Sequence, residues 1–213
     1  MSDVGGQTSV AAIQGQLRPM DRGELEVAPV AAAEALFGAV LEWHDVTRPV
    51  RARIVEVEAY GPDDPASHAY RGPTPACRSM FAAAGTAYVY RSYGVHWCLN
   101  VSVAGERIGA AVLLRAAVLL EGHDEVRARR PRVDEHALLR GPGCLTRGLG
   151  IDGQLDGLDL LDPAASWRLL VDELELPSSC GPRVGVSKAA DLPWRRYLAG
   201  CPAVSRFRRS PRA

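Results

Sequence analysis

Three consecutive segments, residues 86–93, 95–103 and 109–119, carry strand-forming residues, and only Gly94 and the Ala104–Gly105 region break them. Breaks that short leave no room for a crossover helix, so an antiparallel meander is the natural reading. Residues 53–60 alternate like a further strand, with Val55, Val57 and Ala59 expected on one face and Glu56, Glu58 and Tyr60 on the other. Residues 29–41 begin with Pro29 and continue with helix formers, which predicts a first helix. Residues 61–76 hold Pro62, Pro65, Pro73 and Pro75 and read as loop. Residues 121–130 and 135–149 look helical, the second interrupted at Gly141-Pro142-Gly143, and short strands are expected at 167–170 and 183–186. The absence of a strand–helix rhythm argues against a doubly wound parallel sheet. The fold class is α+β, a single domain.

The length of 213 residues supports one domain with an appended arm. Residues 1–22 are rich in Gly, Ser, Gln and Ala, lack periodicity and are expected to be a mobile, disordered arm, with Met20 as an alternative start; residues 23–207 form the domain and 208–213 a basic tail. A hydrophobic fraction of 47% and a charged fraction of 23% are ordinary for a globular protein. No apolar run approaches the ~20 residues that a membrane helix needs, and the N-terminus has no secretory pattern. The five cysteines form no C-x-x-C pair, which points to free thiols in a reducing cytosol rather than to a zinc ribbon or a disulfide scaffold.

Net charge is zero, but the charges are segregated. Residues 183–213 hold seven arginines and Lys188 against Asp191 alone, whereas residues 150–176 hold seven acids against Arg168. A second basic run lies at Arg127, Arg129, Arg130 and Arg132. A basic face on a neutral protein suits a polyanion. Arginine standing in for lysine explains the same counts, since the chain has one lysine, so charge alone leaves both readings open.

Of 13 aromatic residues, seven fall within the 38 residues from 60 to 97, and five of the six tyrosines are among them. Such a cluster is commonly core. Tyrosines also make platforms for a planar base, each stack contributing roughly 1–3 kcal/mol. Strand geometry places Glu58 beside Tyr60, Tyr88 beside Tyr90, and Asn100 on the polar side of its strand with His96 and Ser102. Arg115, inside A-A-V-L-L-R-A-A-V-L-L, must find an anion or solvent; a structural ion pair with Glu and a phosphate or carboxylate clamp at a site mouth are both open.

The motifs R-I-V-E-V-E-A-Y (53–60), D-x-x-S-H (64–68), G-T-A-Y-V-Y-R-S-Y-G (85–94), C-L-N-V-S (98–102), A-A-V-L-L-R-A (110–116), R-G-P-G-C-L-T-R-G-L-G-I (140–151) and R-V-G-V (183–186) resemble, in order, the alkyladenine (3-methyladenine) DNA glycosylase family. The resemblance implies a curved, mostly antiparallel sheet with flanking helices, like the C-terminal domain of formyltransferases. It implies a monofunctional enzyme that flips alkylated or deaminated purines out of duplex DNA and hydrolyses the N-glycosidic bond. The bases implied are 3-methyladenine, 7-methylguanine, ethenoadenine and hypoxanthine.

Carried over by motif, Glu58 is implied as the general base that activates water, and Arg115 and the main chain at Val184 as groups that help hold that water. Tyr60, His68 and Tyr90 are implied as the walls that sandwich the base, with Tyr88 lining the same region. Asn100 is implied to disfavour guanine, and Tyr93 to enter the duplex where the base has left. Neither cofactor nor metal is expected, and the partner is double-stranded DNA containing damaged purines, bound by a monomer in a bacterial-type cytosol.

Two other readings compete. Glu56 and Glu58 stand roughly 7 Å apart in parallel on one strand, which is poor geometry for two carboxylates flanking a sugar bond. A non-catalytic sensor of damaged DNA would keep the pocket, but it has no use for a base such as Glu58. Release of free base from methylated duplex separates the sensor from the enzyme.

Overall fold

The computed structural model describes residues 10–13, 15–45 and 48–213. Its centre is the pair formed by β3 (Val50–Tyr60) and β6 (Ala110–Glu121), which run antiparallel along nearly their whole length. β4 (Ala87–Ser92) and β5 (His96–Val103) make a hairpin that pairs with β6 through β5, which is the expected meander. On the other side of β3 lie β2 (Val40–Trp43), β7 (Trp167–Val171) and β1 (Arg18–Pro19), giving the order β1, β7, β2, β3, β6, β5, β4. Two short strands, β8 (Ser179–Gly181) and β9 (Arg195–Tyr197), complete a nine-stranded open sheet; β9 pairs with β3 at residues 56–58, beyond the stretch that β2 occupies. Every pairing between these strands is antiparallel.

Among the described residues three α-helices accompany the sheet: α1 (Pro29–Leu36), α2 (His123–Arg129) and α3 (Pro142–Leu149). Leu36 of α1, Val126 of α2 and Leu145 of α3 join Val57, Val101 and Val112 in one buried cluster. The helices therefore cover the sheet face onto which those strand residues point. The alternate residues, among them Glu58, Asn100, Leu113 and Tyr88, point to the opposite face. There the loop after β3 packs a smaller cluster of Ala69, Cys77, Met80, Tyr88 and Ala111. One face makes the core and the other is left for chemistry.

Several expectations change. The helix expected over 29–41 ends at Leu36, because Phe37 is extended and Gly38 adopts φ +90°, a region glycine enters without strain. Val40 and Leu41 then pair with β3 and β7. Residues 183–186 are not a strand: they follow Pro182, and the N–H of Val184 goes to a carboxylate instead of a ladder. Val55 does not share a face with Val57. The β3–β6 register shifts around Glu56, so Ile54, Val57 and Ala59 enter the main core while Val55 packs with Ala116 and Ala203. Such bulges re-aim side chains, here turning Val55 and Glu56 both away from the main core.

Of the arm expected over residues 1–22, residues 1–9 and 14 lie outside the described residues. The rest makes specific contacts with the domain. β1 pairs with β7, Met20 is buried, and the carbonyls of Val10 and Ala12 accept from the Arg53 guanidinium, which also grips Asp172. Among the described residues no helix is long and apolar enough to cross a membrane, and all five cysteines are free.

Candidate active site

Glu58 is fully buried, and an ionised carboxylate taken from water needs several hydrogen bonds. It has three. Oε1 accepts from the Val184 N–H at 2.7 Å; Oε2 accepts from the Tyr60 hydroxyl at 2.9 Å and from Arg115 Nη1 at 3.2 Å. Arg115 also donates through Nε to Glu56 Oε1 at 3.1 Å and through Nη2 to Ser205 Oγ at 3.2 Å. Glu56 in turn accepts from Arg195 Nε at 2.7 Å and from the Ser205 N–H and hydroxyl, both at 2.8 Å. Two carboxylates and two guanidiniums thus balance one another on one face of the sheet.

Burial opposes the charge on Arg115, but Glu58 and Glu56 outweigh it and raise its pKa further. Burial, with the charge of Glu58 adding to it, pushes the Tyr60 phenol well above its usual range, so Tyr60 is a neutral donor. The ion pair foreseen for Arg115 is therefore present, and the same side chain also borders a cavity.

That cavity, of about 670 Å³, is lined by Tyr60, His68, Tyr88, Tyr90, Tyr93, Asn100, Arg115 and Val184 together with Met80, Leu113, Pro142 and Lys188. Glu58 reaches it through its bonds to Tyr60, Arg115 and Val184. Tyr88 and Tyr90 stack with ring centres 5.5 Å apart, as alternate residues on one strand face can. His68 stands edge-on to Tyr90 at 4.5 Å, and its Nδ1 shares a 2.8 Å hydrogen bond with the Tyr88 hydroxyl. The loop that brings His68 here is held by its own side chains, Asp64 accepting from the Ala66 N–H and Ser67 from the Ala69 N–H. Burial lowers the His68 pKa and raises those of Tyr88 and Tyr90, leaving all three rings uncharged near neutral pH. Asn100 is fixed by its Nδ2 donating to the Tyr88 carbonyl at 3.0 Å.

Tyr93 differs from the rest: it is 94% exposed, at the tip of the β4–β5 hairpin. The turn residues Tyr93 and Gly94 have φ +49° and +68°, and the Val95 N–H closes the turn on the Ser92 carbonyl at 2.9 Å within a three-residue loop, Ser92 pairing with His96. A large ring is thereby displayed at the cavity rim without covering it.

The structure thus brings together the nine residues implied as site residues, Glu58, Tyr60, His68, Tyr88, Tyr90, Tyr93, Asn100, Arg115 and Val184. Sequence reading missed Arg195 and Ser205, which are 139 and 149 residues from Glu56 and carry no local signal. It also missed the buried pair Asp64–Arg183, although both residues sit inside the quoted motifs. Among the described residues no group of three or more His, Cys, Asp or Glu is placed to hold a metal ion.

A buried carboxylate beneath a cavity walled by uncharged aromatic rings is the equipment of a hydrolase acting beside a planar group. Comparison with known proteins makes the class specific. The family described as Methylpurine-DNA glycosylase (MPG) matches residues 24–202. A protein of Mycobacterium sp. (strain KMS) named "Putative 3-methyladenine DNA glycosylase" is 52% identical, over 89% of this chain and 94% of its own length. Proteins of the same name from Mycolicibacterium paratuberculosis and Mycobacterium bovis (strain BCG / Pasteur 1173P2) are 49% and 47% identical, covering 89% and 91% of this chain and 94% and 97% of their own. The chain belongs to the methylpurine-DNA glycosylase family. It is a DNA repair enzyme that hydrolyses N-glycosyl bonds.

Proposed function

We propose that this enzyme flips alkylated or deaminated purines, including 3-methyladenine, 7-methylguanine, ethenoadenine and hypoxanthine, from duplex DNA into the tyrosine-walled cavity and hydrolyses their bond to the sugar. The observation that carries this reading is the state of Glu58. Each carboxylate oxygen can accept two hydrogen bonds. Oε2 has two partners but Oε1 has only the Val184 N–H, so among the described residues one acceptor position on Glu58 is left for a water proton. Glu58 takes that proton as the water attacks C1′, while Arg115 and the main chain at Val184 help hold the water.

An N-glycosidic bond is hidden in the stack, and extruding the nucleotide costs a few kcal/mol. Tyr93 enters the gap, and Tyr60, His68 and Tyr90 receive the base, with Tyr88 behind them. Asn100 crowds the 2-amino group of guanine. A cationic alkylated purine is a good leaving group and stacks well on tyrosine faces, so modest proton transfer suffices. Activated water makes the enzyme monofunctional, stopping at the abasic site although Lys188 borders the cavity. The domain over residues 23–207, of the formyltransferase C-terminal-domain type with a curved sheet, acts as a monomer in the bacterial cytosol, on the nucleoid.

The test is incubation with duplex containing hypoxanthine or 7-methylguanine, followed by assay of free base, strand breaks and borohydride-trapped adducts. Wild type releases base without either breaks or adducts. Glu58→Gln still binds the damaged duplex but releases base at least about 10²-fold more slowly, the lower end of what general-base catalysis supplies. Near-normal release by that variant, or an adduct that disappears in Lys188→Ala, sinks the water mechanism.

A further inference from the structure

Neither member of the Asp64–Arg183 pair lines the cavity, yet Arg183 touches one of its walls, and Asp64 also braces the loop that bears His68. Arg183 is 1% exposed; Nη1 donates to Asp64 Oδ2 and, at 3.0 Å, to the Ala59 carbonyl, and Nη2 donates to Asp64 Oδ1 at 3.1 Å. Its Cζ lies 4.6 Å from the centre of the Tyr60 ring and 5.4 Å from that of Trp194. Tyr60 borders the cavity and Arg183 does not, so the guanidinium occupies the side of the ring turned away from the cavity.

An aromatic face attracts a cation through the negative potential of its π-system. A cation already seated behind the ring draws on that same potential. The front face then holds a second cation less well than an unburdened tyrosine does, whereas stacking with an uncharged purine loses little. We propose that Arg183, acting through Tyr60 and tempered by its counter-ion Asp64, sets the balance between cationic and neutral damaged purines and biases the pocket toward neutral ones. The inference rests on Tyr60 being a wall of the base pocket. A pair that only braces the fold would weaken both classes of lesion together.

The two members of the pair should act in opposite directions. Removing both charges in Asp64→Asn/Arg183→Gln frees the Tyr60 face, and Asp64→Asn alone leaves the guanidinium less neutralised. The measurement is affinity for duplexes of one sequence containing either 7-methylguanine, at a pH where it is a cation, or hypoxanthine, in the Glu58→Gln background that halts turnover. The ratio of affinities, cationic over neutral, should rise about three- to tenfold in the double variant and fall in Asp64→Asn, while Arg183→Lys keeps it near wild type. An unchanged ratio in Asp64→Asn overturns the inference, and that variant decides if the double one does not fold. Failure of the Glu58→Gln protein to prefer either lesion over undamaged duplex is a different result, and it overturns the reading of the cavity as a base pocket on which the inference rests.

Discussion

Glu42 shows what a buried carboxylate does when it has only a structural duty. It is as enclosed as Glu58, but it sits between Arg51, whose Nε donates at 2.6 Å, and Arg168, with His44 beside it. Burial raises its pKa, yet the two guanidiniums outweigh burial and hold it below the usual carboxylate range. A depressed folded-state value means that its contribution is present above the unfolded value of about 4.3 and is lost as pH falls through the folded one. Glu42→Gln should therefore cost about 1.5–3 kcal/mol at neutral pH, the range for hydrogen bonds to charged groups. In urea denaturation the gap from wild type should close as the pH drops below 4; a constant gap would mean that shape, not charge, is what Glu42 supplies. Nothing around E-W-H in the sequence separates this glutamate from Glu58. The quoted motifs did mark Glu58, Tyr60 and Arg115. The partners of Glu56, Arg195 and Ser205, stayed hidden, because a hydrogen bond across more than a hundred residues leaves no spacing to read.

The β4–β5 hairpin carries the clearest conflict between stability and use. A bulky residue at φ +49° pays roughly 1 kcal/mol of backbone strain that glycine would avoid, and Tyr93 at 94% exposure recovers almost none of it by burial. Tyr93→Gly should leave thermal stability unchanged or slightly raised. Excision from duplex should fall far more than excision from single strands, since only paired DNA requires a wedge. Equal loss on both substrates, measured side by side, would make Tyr93 a wall of the pocket and not a wedge. At this scale the meander was legible because glycine breaks and alternation recur over long strands. The end of α1 was not, since Ala39 and Leu41 fit a continued helix and one glycine, Gly38, is a weak stop signal. β8 and β9, three residues each, exist only through pairing with distant chain. The shift around Glu56 escaped for a related reason: strict alternation hides an extra residue, and only the partner strand reveals which side chains turned.

A net charge of zero counts against a DNA enzyme only if all charges are equally available. They are not. In the acidic stretch, Asp156 binds the Ser79 hydroxyl and the Val89 N–H, Asp159 pairs with Arg22, and Asp172 pairs with Arg53. Arg53, Arg115, Arg183 and Arg195 are likewise consumed in buried pairs. Around the cavity the balance is different: Arg91 and Lys188 both line it and are both exposed, and Arg147 is exposed on α3, the helix whose first residue, Pro142, borders the same space. Gly185 is hydrogen-bonded to the Arg208 carbonyl at 2.9 Å, which ties the arginine-rich C-terminal segment to the loop bearing Lys188. On the function proposed above, cations placed there displace counterions from the phosphates beside the extruded nucleotide, so the logarithm of the binding constant should fall linearly with the logarithm of salt concentration. Each phosphate contact contributes about 0.9 to that slope. Arg91→Ala with Lys188→Ala should therefore flatten the slope by about two, and weaken damaged and undamaged duplex alike, because phosphate contacts carry no information about the base. Affinity that ignores salt, or a slope that the double variant leaves unchanged, would place the DNA on another face of the molecule.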